Sequence, residues 1–248
     1  MKRFFYVANL KMNGSLNMIS SWLEKASELS ASEQEACIFC PPSCFLDHSS
    51  HLIKKNNLNI QLGAQNFDAD SSASITGGIS ANMMSSLDCQ YTLIGHSERR
   101  ILFKEDDNLL VEKLRSAFSS KLKVIFCVGE TEQERLDSLT FEKLYSQLGI
   151  LKNFSNFKDS IVVAYEPIWS IGSGKIPRSK EIQEVLIFIK DSLSKIFQID
   201  SSIPLLYGGS VVHDNVDNLR NLPELEGLLI GGASIDPEDF CKIVKPTT

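Results

Sequence analysis

The 248-residue sequence predicts an α/β fold, a closed (β/α)8 barrel in which an outer ring of helices surrounds eight parallel strands. Short apolar segments alternate with amphipathic helical segments from end to end, and no Ser/Pro-rich linker divides the chain. Several of the apolar segments are apolar nearly throughout, which is typical of parallel strands covered on both faces. Barrels of this length are often single domains, so we predict one domain over residues 1–248.

The predicted strands are short apolar segments that end at polar residues, glycine or proline. Ile161–Tyr165 shows the pattern well, because Glu166 and Pro167 end it at once. In chain order the predicted strands are Phe4–Ala8, Ala36–Cys40, Asn59–Gly63, Tyr91–Gly95, Val124–Val128, Ile161–Tyr165, Pro204–Tyr207 and Gly227–Ile230.

The predicted helices lie between these strands and carry apolar residues at helical spacing. Ser179–Phe197 has one continuous apolar stripe, and Pro42–Lys55 opens with prolines that suit a first helical turn. The full set is Asn17–Leu29, Pro42–Lys55, Asp106–Ser119, Thr140–Phe154, Ser179–Phe197, His213–Arg220 and Pro237–Val244.

The composition narrows the class of function. The net charge of −6 and the lack of a lysine or arginine cluster argue against nucleic acid as a partner. No segment approaches the ~20 apolar residues of a membrane span, and the apolar run Phe4–Ala8 is too short for a signal peptide. We therefore expect a cytoplasmic protein with neither a membrane nor a nucleic acid partner.

Three of the six cysteines, Cys37, Cys40 and Cys44, have a spacing that could suggest a metal site. Cys37 and Cys40 lie three apart in a predicted strand, so their side chains should point to opposite faces. No Cys/His cluster supplies further ligands. We expect reduced thiols and no metal.

The chemistry of such a barrel lies where strands end and βα loops begin. Glu166 follows a predicted strand and precedes an apolar loop that contains Gly172 and Gly174. This arrangement suits a catalytic base under a closing lid, although an exposed turn with a solvated glutamate has the same sequence pattern. Lys11 and His96 also follow strands, where a surface lysine and a structural histidine are the simpler interpretations of each alone.

The glycine pairs Gly208–Gly209 and Gly231–Gly232 follow the last two strands and are weak signals singly. In a (β/α)8 barrel these loops bind phosphate through backbone N–H groups, and glycine permits close approach. Together with a carboxylate, an imidazole and a lysine, they indicate proton abstraction beside a carbonyl of a phosphorylated substrate. A Schiff base on Lys11 remains conceivable. The sequence contains no dinucleotide fingerprint, and we expect no cofactor.

Seven motifs resemble those of the triosephosphate isomerase family, in order along the whole chain. They are Asn9–Leu10–Lys11–Met12–Asn13, Gly63–Ala64–Gln65–Asn66, Gly95–His96–Ser97–Glu98–Arg99–Arg100, Cys127–Val128–Gly129–Glu130, Ala164–Tyr165–Glu166–Pro167–Ile168–Trp169, Tyr207–Gly208–Gly209–Ser210 and Gly231–Gly232–Ala233–Ser234. The resemblance implies the TIM barrel fold and interconversion of dihydroxyacetone phosphate and D-glyceraldehyde 3-phosphate, in glycolysis and gluconeogenesis, without cofactor or metal.

The resemblance also implies residue roles. Glu166 would move protons between C1 and C2, His96 would polarise the carbonyl, and Lys11 would be the cation near the enediolate and phosphate. Substrate-binding positions would be Asn9, Lys11, Gly172, Ser210, Gly231 and Gly232. Supporting positions would be Ser97, Glu98, Cys127, Ile171, Leu229 and Tyr207, of which Ile171 and Leu229 match the apolar pair that keeps water from the base.

The family is usually homodimeric, and the resemblance implies an interface around Gln65, Asn66, Thr76 and Gly77. Several positions depart from the family pattern without removing a catalytic group. These are Leu10 for tryptophan, Gly78 for glutamate, Ser173 for threonine, Pro177 at the end of the lid, and the lack of a glycine in Asp137–Ser138–Leu139.

Two other functions compete with the isomerase. One is a Schiff-base aldolase with Lys11 as nucleophile, although an irregular first loop is poorly suited to a buried amine of lowered pKa. The other is a barrel that only senses phosphate or serves as an interaction scaffold. The intact set Lys11, His96 and Glu166 counts against the scaffold.

Overall fold

The computed structural model describes residues 4–69, 75–172, 175–198 and 203–245. The eight strands found there are β1 (Phe5–Asn9), β2 (Cys37–Cys40), β3 (Gln61–Ala64), β4 (Cys89–Ile94), β5 (Lys123–Val128), β6 (Ile161–Tyr165), β7 (Leu205–Tyr207) and β8 (Gly227–Ile230). They pair in chain order, all in parallel, and β1 pairs with β8 to close a barrel. The predicted fold class is confirmed.

Eleven α-helices surround the barrel within the described ranges. They are α1 (Leu16–Ala26), α2 (Ala31–Ala36), α3 (Leu46–Lys55), α4 (Ala81–Ser86), α5 (Ser97–Leu102), α6 (Asp107–Ser119), α7 (Glu132–Leu136), α8 (Thr140–Gly149), α9 (Ser179–Phe197), α10 (His213–Arg220) and α11 (Pro237–Val244). Short 3-10 helices span Ser43–Phe45, Ile150–Ser160, Ile168–Ser170 and Gly232–Ser234. Among the described helices, none has both the length and the apolar character needed to cross a bilayer.

The structure corrects three predicted helices. The predicted helix Asn17–Leu29 ends at Ala26 in α1. The segment Pro42–Lys55 divides into a 3-10 turn over Ser43–Phe45 and α3, because the prolines precede the turn rather than open the helix. The predicted helix Thr140–Phe154 ends at Gly149, and a 3-10 segment follows in which Phe154 has a non-helical φ of −122°. The bounds of α9, α10 and α11 agree with the prediction.

The strands separate two apolar layers. An inner cluster, which includes Val7, Cys40 and Ile125, fills the barrel, and a larger outer cluster packs the strands against the helices. Cys37 lies in the outer cluster and Cys40 in the inner one, so the prediction of opposite faces is confirmed. All six cysteines are free thiols. The described residues include no His/Cys/Asp/Glu group arranged to hold a metal ion.

The strand register brings functional segments to one edge of the barrel. Val128 of β5 pairs with Tyr165 of β6, which in turn pairs with Tyr207 of β7. Just past these partners, Glu166 N–H donates to Val128 O at 2.7 Å and Gly208 N–H donates to Tyr165 O at 2.8 Å. The carboxyl ends of neighbouring strands therefore meet at one edge and place their loops side by side.

Candidate active site

A cavity of about 300 Å³ lies at the carboxyl ends of the strands. Its lining contains ten of the residues predicted for the site: Asn9, Lys11, His96, Glu166, Ile171, Gly172, Ser210, Leu229, Gly231 and Gly232. The structure thus gathers into one cavity residues that lie more than two hundred positions apart in the sequence.

Glu166 is a buried carboxylate with a donor near each oxygen. The residue is 2% exposed, its Oε1 lies 3.1 Å from His96 Nε2, and Ser97 N–H donates to its Oε2 at 3.2 Å. A carboxylate held in this way keeps acceptor capacity and has few other positions to adopt. The arrangement suits a group that accepts a proton inside a cavity.

Two glycines make room for Glu166. A Cβ on Gly129 would lie 1.8 Å from the carbonyl oxygen of Glu166, and a Cβ on Gly208 would lie 2.9 Å from its Cγ. Both distances are below any real carbon contact, so a side chain at either position would displace Glu166. The Gly208–Gly209 pair therefore has a steric role beside the predicted role in phosphate binding.

His96 lies at the N-terminus of α5, where its ring is held by the helix backbone. Glu98 N–H donates to His96 Nδ1 at 3.3 Å, so Nδ1 serves as an acceptor. In a neutral imidazole the proton then resides on Nε2, the nitrogen that faces Glu166. A ring in this tautomer can donate a hydrogen bond to a carbonyl oxygen in the cavity.

Lys11 is the cation of the cavity, and its backbone has a left-handed φ of 50°. Asn9 Oδ1 accepts the Lys11 N–H at 3.0 Å, and Gln65 Nε2 donates to Lys11 O at 2.9 Å. The ammonium donates to Glu98 Oε1 at 2.6 Å. Glu98 is a partner for an ammonium group rather than for the free amine that a Schiff base needs, which argues against the aldolase hypothesis.

Backbone at the ends of β7 and β8 forms the other side of the cavity. The 3-10 turn Gly232–Ser234 starts at the cavity wall, and Trp22 Nε1 donates to Ser234 O at 2.8 Å, which fixes the turn. Gly172 also lines the cavity; it has a φ of 65°, and an added Cβ would contact nothing within 4 Å. Such backbone N–H groups can hold an anion by local dipoles although the net charge of the protein is −6.

The remaining supporting residues lie around this wall. Burial and the nearby Glu166 charge raise the pKa of the Cys127 thiol well above its usual value, so Cys127 is a packing residue of the inner cluster. Burial raises the pKa of Tyr207 to about 12, an effect that the nearby Ser170 hydroxyl partly offsets. Leu229 lies against Gly208, whose added Cβ would be 3.5 Å from Leu229 Cβ.

Glu130 belongs to one of the seven motifs but has no role predicted from the sequence, and its contacts make it a further functional candidate. It is fully buried, and its Oε1 accepts from Trp169 Nε1 at 2.8 Å and from Tyr165 OH at 3.1 Å. Burial raises its pKa, an effect that these hydrogen bonds and Arg135 partly offset. Glu130 thus anchors the start of the lid, and its place just after β5 could have identified it.

The residues predicted for an interface form a second, more open concavity. Gln65, Asn66 and Gly77 line a cavity of about 260 Å³ together with Lys11 and Met12. Thr76 is exposed beside it. Because Gln65 also donates to Lys11 O and to Cys40 O, each at 2.9 Å, this concavity is connected to the active-site loop.

The structure shows the burial or the backbone conformation of three residues that depart from the family pattern. Leu10 is completely buried, and Pro177 is buried just before α9. Ser138 has a φ of 60°, the left-handed conformation that glycine adopts most readily, in the segment that lacks the usual glycine. Ser173 and Gly174 lie outside the described residues.

Similar known proteins support the same interpretation of the site. A family model described as triosephosphate isomerase matches residues 4–247. A protein of Buchnera aphidicola subsp. Acyrthosiphon pisum named triosephosphate isomerase is 39% identical over 99% of this chain and 97% of its own length. A protein of the same name from Shewanella sp. strain MR-4 is 34% identical over 98% of this chain and 96% of its own length.

Proposed function

The chain belongs to the triosephosphate isomerase family, and we propose that it interconverts dihydroxyacetone phosphate and D-glyceraldehyde 3-phosphate by proton transfer through an enediolate. The observation that carries this proposal is the pair formed by Glu166 and His96. An acceptor carboxylate and a donor imidazole nitrogen lie 3.1 Å apart in a cavity that also contains Lys11 and the two glycine-bearing loops.

The proton transfer follows from the positions of these groups. Glu166 takes a proton from C1 of dihydroxyacetone phosphate, and the C–H electron pair forms the C1=C2 double bond while charge moves to the C2 oxygen. The Nε2–H of His96 and the ammonium of Lys11 stabilise this oxygen. Glu166 then returns the proton to C2, and transfer of the hydroxyl proton from O1 to O2 completes the aldehyde. In triosephosphate isomerase the corresponding histidine acts as a neutral electrophile, which agrees with the tautomer of His96.

The contact between Glu166 and His96 limits how substrate can bind. A distance of 3.1 Å between His96 Nε2 and Glu166 Oε1 leaves no room for a substrate atom between them. Binding must therefore separate the two groups and move the carboxylate away from Ser97 N–H. Ile171 and Leu229 line the cavity and would exclude water when the lid closes over the substrate.

The variant Glu166→Gln tests this proposal. The amide cannot accept the proton, so we expect kcat to fall by about 10²- to 10⁴-fold, which is the usual contribution of a general base. Binding of inorganic phosphate should change little, because the phosphate-binding loops are intact. The measurement is a coupled assay with each triose phosphate. Turnover by Glu166→Gln at the rate of the unmodified protein would overturn the assignment of the base.

The assembly and setting of the enzyme belong to the same proposal. The open concavity beside Gln65 and Gly77, with Met12 97% exposed on its rim, supports a homodimer in which a second copy covers the Lys11 loop. A cytoplasmic location and a role in glycolysis and gluconeogenesis fit the family and the six free thiols.

A further inference from the structure

Arg100 is a largely buried cation on α5, one helical turn after His96, and it takes no part in the proton transfer described above. Its side chain is 15% exposed. Burial lowers the pKa of the guanidinium, an effect that the charges of Asp107 and Glu166 partly offset, and arginine stays charged at neutral pH. A charge removed from water is costly to the fold unless polar groups surround it, so the partners of Arg100 indicate what it does.

The Arg100 guanidinium joins the ends of two neighbouring strands. Its Nε donates to Gly95 O at 2.8 Å, and its Nη2 donates to Cys127 O at 3.3 Å. The last paired residues of β4 and β5 are Ile94 and Phe126, so both carbonyls lie one residue beyond the pairing of these strands. A planar guanidinium can donate to two such acceptors at once. Arg100 therefore continues the connection between β4 and β5 where β4 leaves the sheet.

Gly95 provides the space for this contact. Its φ is 77°, in the left-handed region that glycine adopts readily, and the chain turns there from β4 toward His96. A Cβ on Gly95 would lie 2.8 Å from Arg100 Nη2 and 3.1 Å from Cys127 O. Any other residue at this position would displace the guanidinium from the two carbonyls.

Arg100 holds the peptide units on both sides of His96. The carbonyl before His96, Gly95 O, accepts from the Arg100 side chain, and His96 O accepts the Arg100 N–H at 3.1 Å. The second bond belongs to the helix backbone and persists in any variant other than proline. The first depends on the side chain. Rotation of the Gly95–His96 peptide unit would move the imidazole, whose Nε2 lies 3.1 Å from Glu166 Oε1.

We propose that Arg100 is a positioning residue that fixes the direction in which His96 presents its Nε2–H to the substrate carbonyl. The inference rests on the proposed function, because it concerns the donor to the developing oxyanion. Without the guanidinium, no side-chain donor holds the Gly95–His96 peptide unit beyond the end of the β4–β5 pairing. Displacement of a catalytic group by about 1 Å can cost on the order of 10²-fold in rate. The glycine-bearing loops after β7 and β8 make no contact with Arg100 through these bonds, so phosphate binding should persist.

The variants Arg100→Met and Arg100→Lys test this role. Methionine keeps an apolar stem, whereas lysine keeps the charge but lacks the planar group that reaches both carbonyls. We expect kcat for D-glyceraldehyde 3-phosphate to fall about 10- to 100-fold in both variants. KM, and the dissociation constant of inorganic phosphate from isothermal titration calorimetry, should change little. The imidazole ¹⁵N NMR signals of His96, assigned with His96→Gln, should shift or broaden.

Arg220→Met and Arg220→Lys are matched controls. The Arg220 side chain is 17% exposed, and its guanidinium lies over an aromatic ring, as that of Arg100 does. It also donates to backbone carbonyls, Val244 O at 3.1 Å and Lys245 O at 3.2 Å, which do not line the cavity. All four variants should unfold at a lower temperature, but only the Arg100 variants should lower kcat and move the His96 signals.

Three results would overturn the role of Arg100. A kcat for Arg100→Lys close to that of the unmodified protein would show that the charge suffices without the two-carbonyl contact. Unchanged His96 signals in both Arg100 variants would show that the ring does not depend on it. Weaker phosphate binding in these variants than in the controls would indicate general loss of the site. Because the NMR and calorimetric measurements need no turnover, an unmodified protein without isomerase activity would refute the proposed function and still leave Arg100 decidable.

Discussion

At the scale of single residues, the candidate site depends on glycines, which have no side chain, as much as on reactive side chains. Glu166 is confined from two sides by Gly129 and Gly208, whose hydrogens occupy the places where a Cβ would collide with it. The glycine pair after β7 was interpreted from the sequence as a phosphate loop alone. The contact with Glu166 shows that Gly208 also sets the position of the base.

The variant Gly208→Ala tests this steric role. Its Cβ would lie 2.9 Å from Glu166 Cγ, so the Glu166 side chain must shift from its position beside His96 Nε2. Displacement of a catalytic group by about 1 Å can cost on the order of 10²-fold, and we expect such a fall in kcat with little change in KM. Gly149→Ala is the control, because a Cβ there meets nothing within 4 Å and the backbone is helical. A kcat for Gly208→Ala equal to that of the control would contradict the argument.

Residues identified by position were easier to predict than residues identified by contact. Lys11, His96 and Glu166 follow strands, so the barrel rule and the family resemblance both select them. Glu130 also follows a strand, β5, so its position could have selected it, but its hydrogen bonds with Trp169 and Tyr165 are visible only in the folded chain.

At the scale of secondary-structure elements, long helices with a periodic apolar pattern are predicted correctly from the sequence, whereas short helices are not. α9 contains 19 residues with a continuous apolar stripe, and its bounds were predicted correctly. α2 and α7, of 6 and 5 residues, are too short for a periodic pattern and were missed. Both nevertheless have capping boxes, Ser30 with Glu33 and Thr131 with Glu134, and this signal would have found them.

The far end of the lid gives a prediction at this scale. Pro177 is buried between the exposed Ile176 and α9, and its ring fixes φ where the lid must hinge. Pro177→Ala frees that torsion, and the usual effect of about 0.4–1 kcal/mol corresponds to lid opening that is about two- to fivefold faster. Relaxation of Trp169 fluorescence after a temperature jump measures the rate. Pro223→Ala, in an exposed loop, is the control, and equal relaxation rates in both variants would show that Pro177 does not restrain the lid.

At the scale of the whole molecule, the residues themselves predict the order of elements, whereas the homodimer is a prediction that rests on the family resemblance alone. Alternation of strands and helices indicates a barrel, and pairing of β1 with β8 shows that it closes. In a single sequence, the residues of a surface that a partner covers have no pattern that distinguishes them from an exposed loop. Met12 and Ile75 are apolar residues that are 97% and 59% exposed in the isolated chain, an exposure that is consistent with the proposed homodimer.

A charge at Thr76 tests the dimer that these exposed residues support. Thr76 is exposed in the isolated chain, so Thr76→Lys should leave the fold of one subunit intact, but burial of its ammonium at an interface is costly. We expect the dimer dissociation constant by sedimentation velocity to rise at least tenfold. We also expect a lower kcat, because the Lys11 loop, which Gln65 connects to the open concavity, loses its cover by the second copy. Tyr145→Lys, at a site 51% exposed on α8, should change neither quantity. In a dimer, the midpoint of thermal unfolding of the unmodified protein should also rise with concentration. A single-subunit mass and a concentration-independent midpoint would instead show that the chain does not form the proposed homodimer.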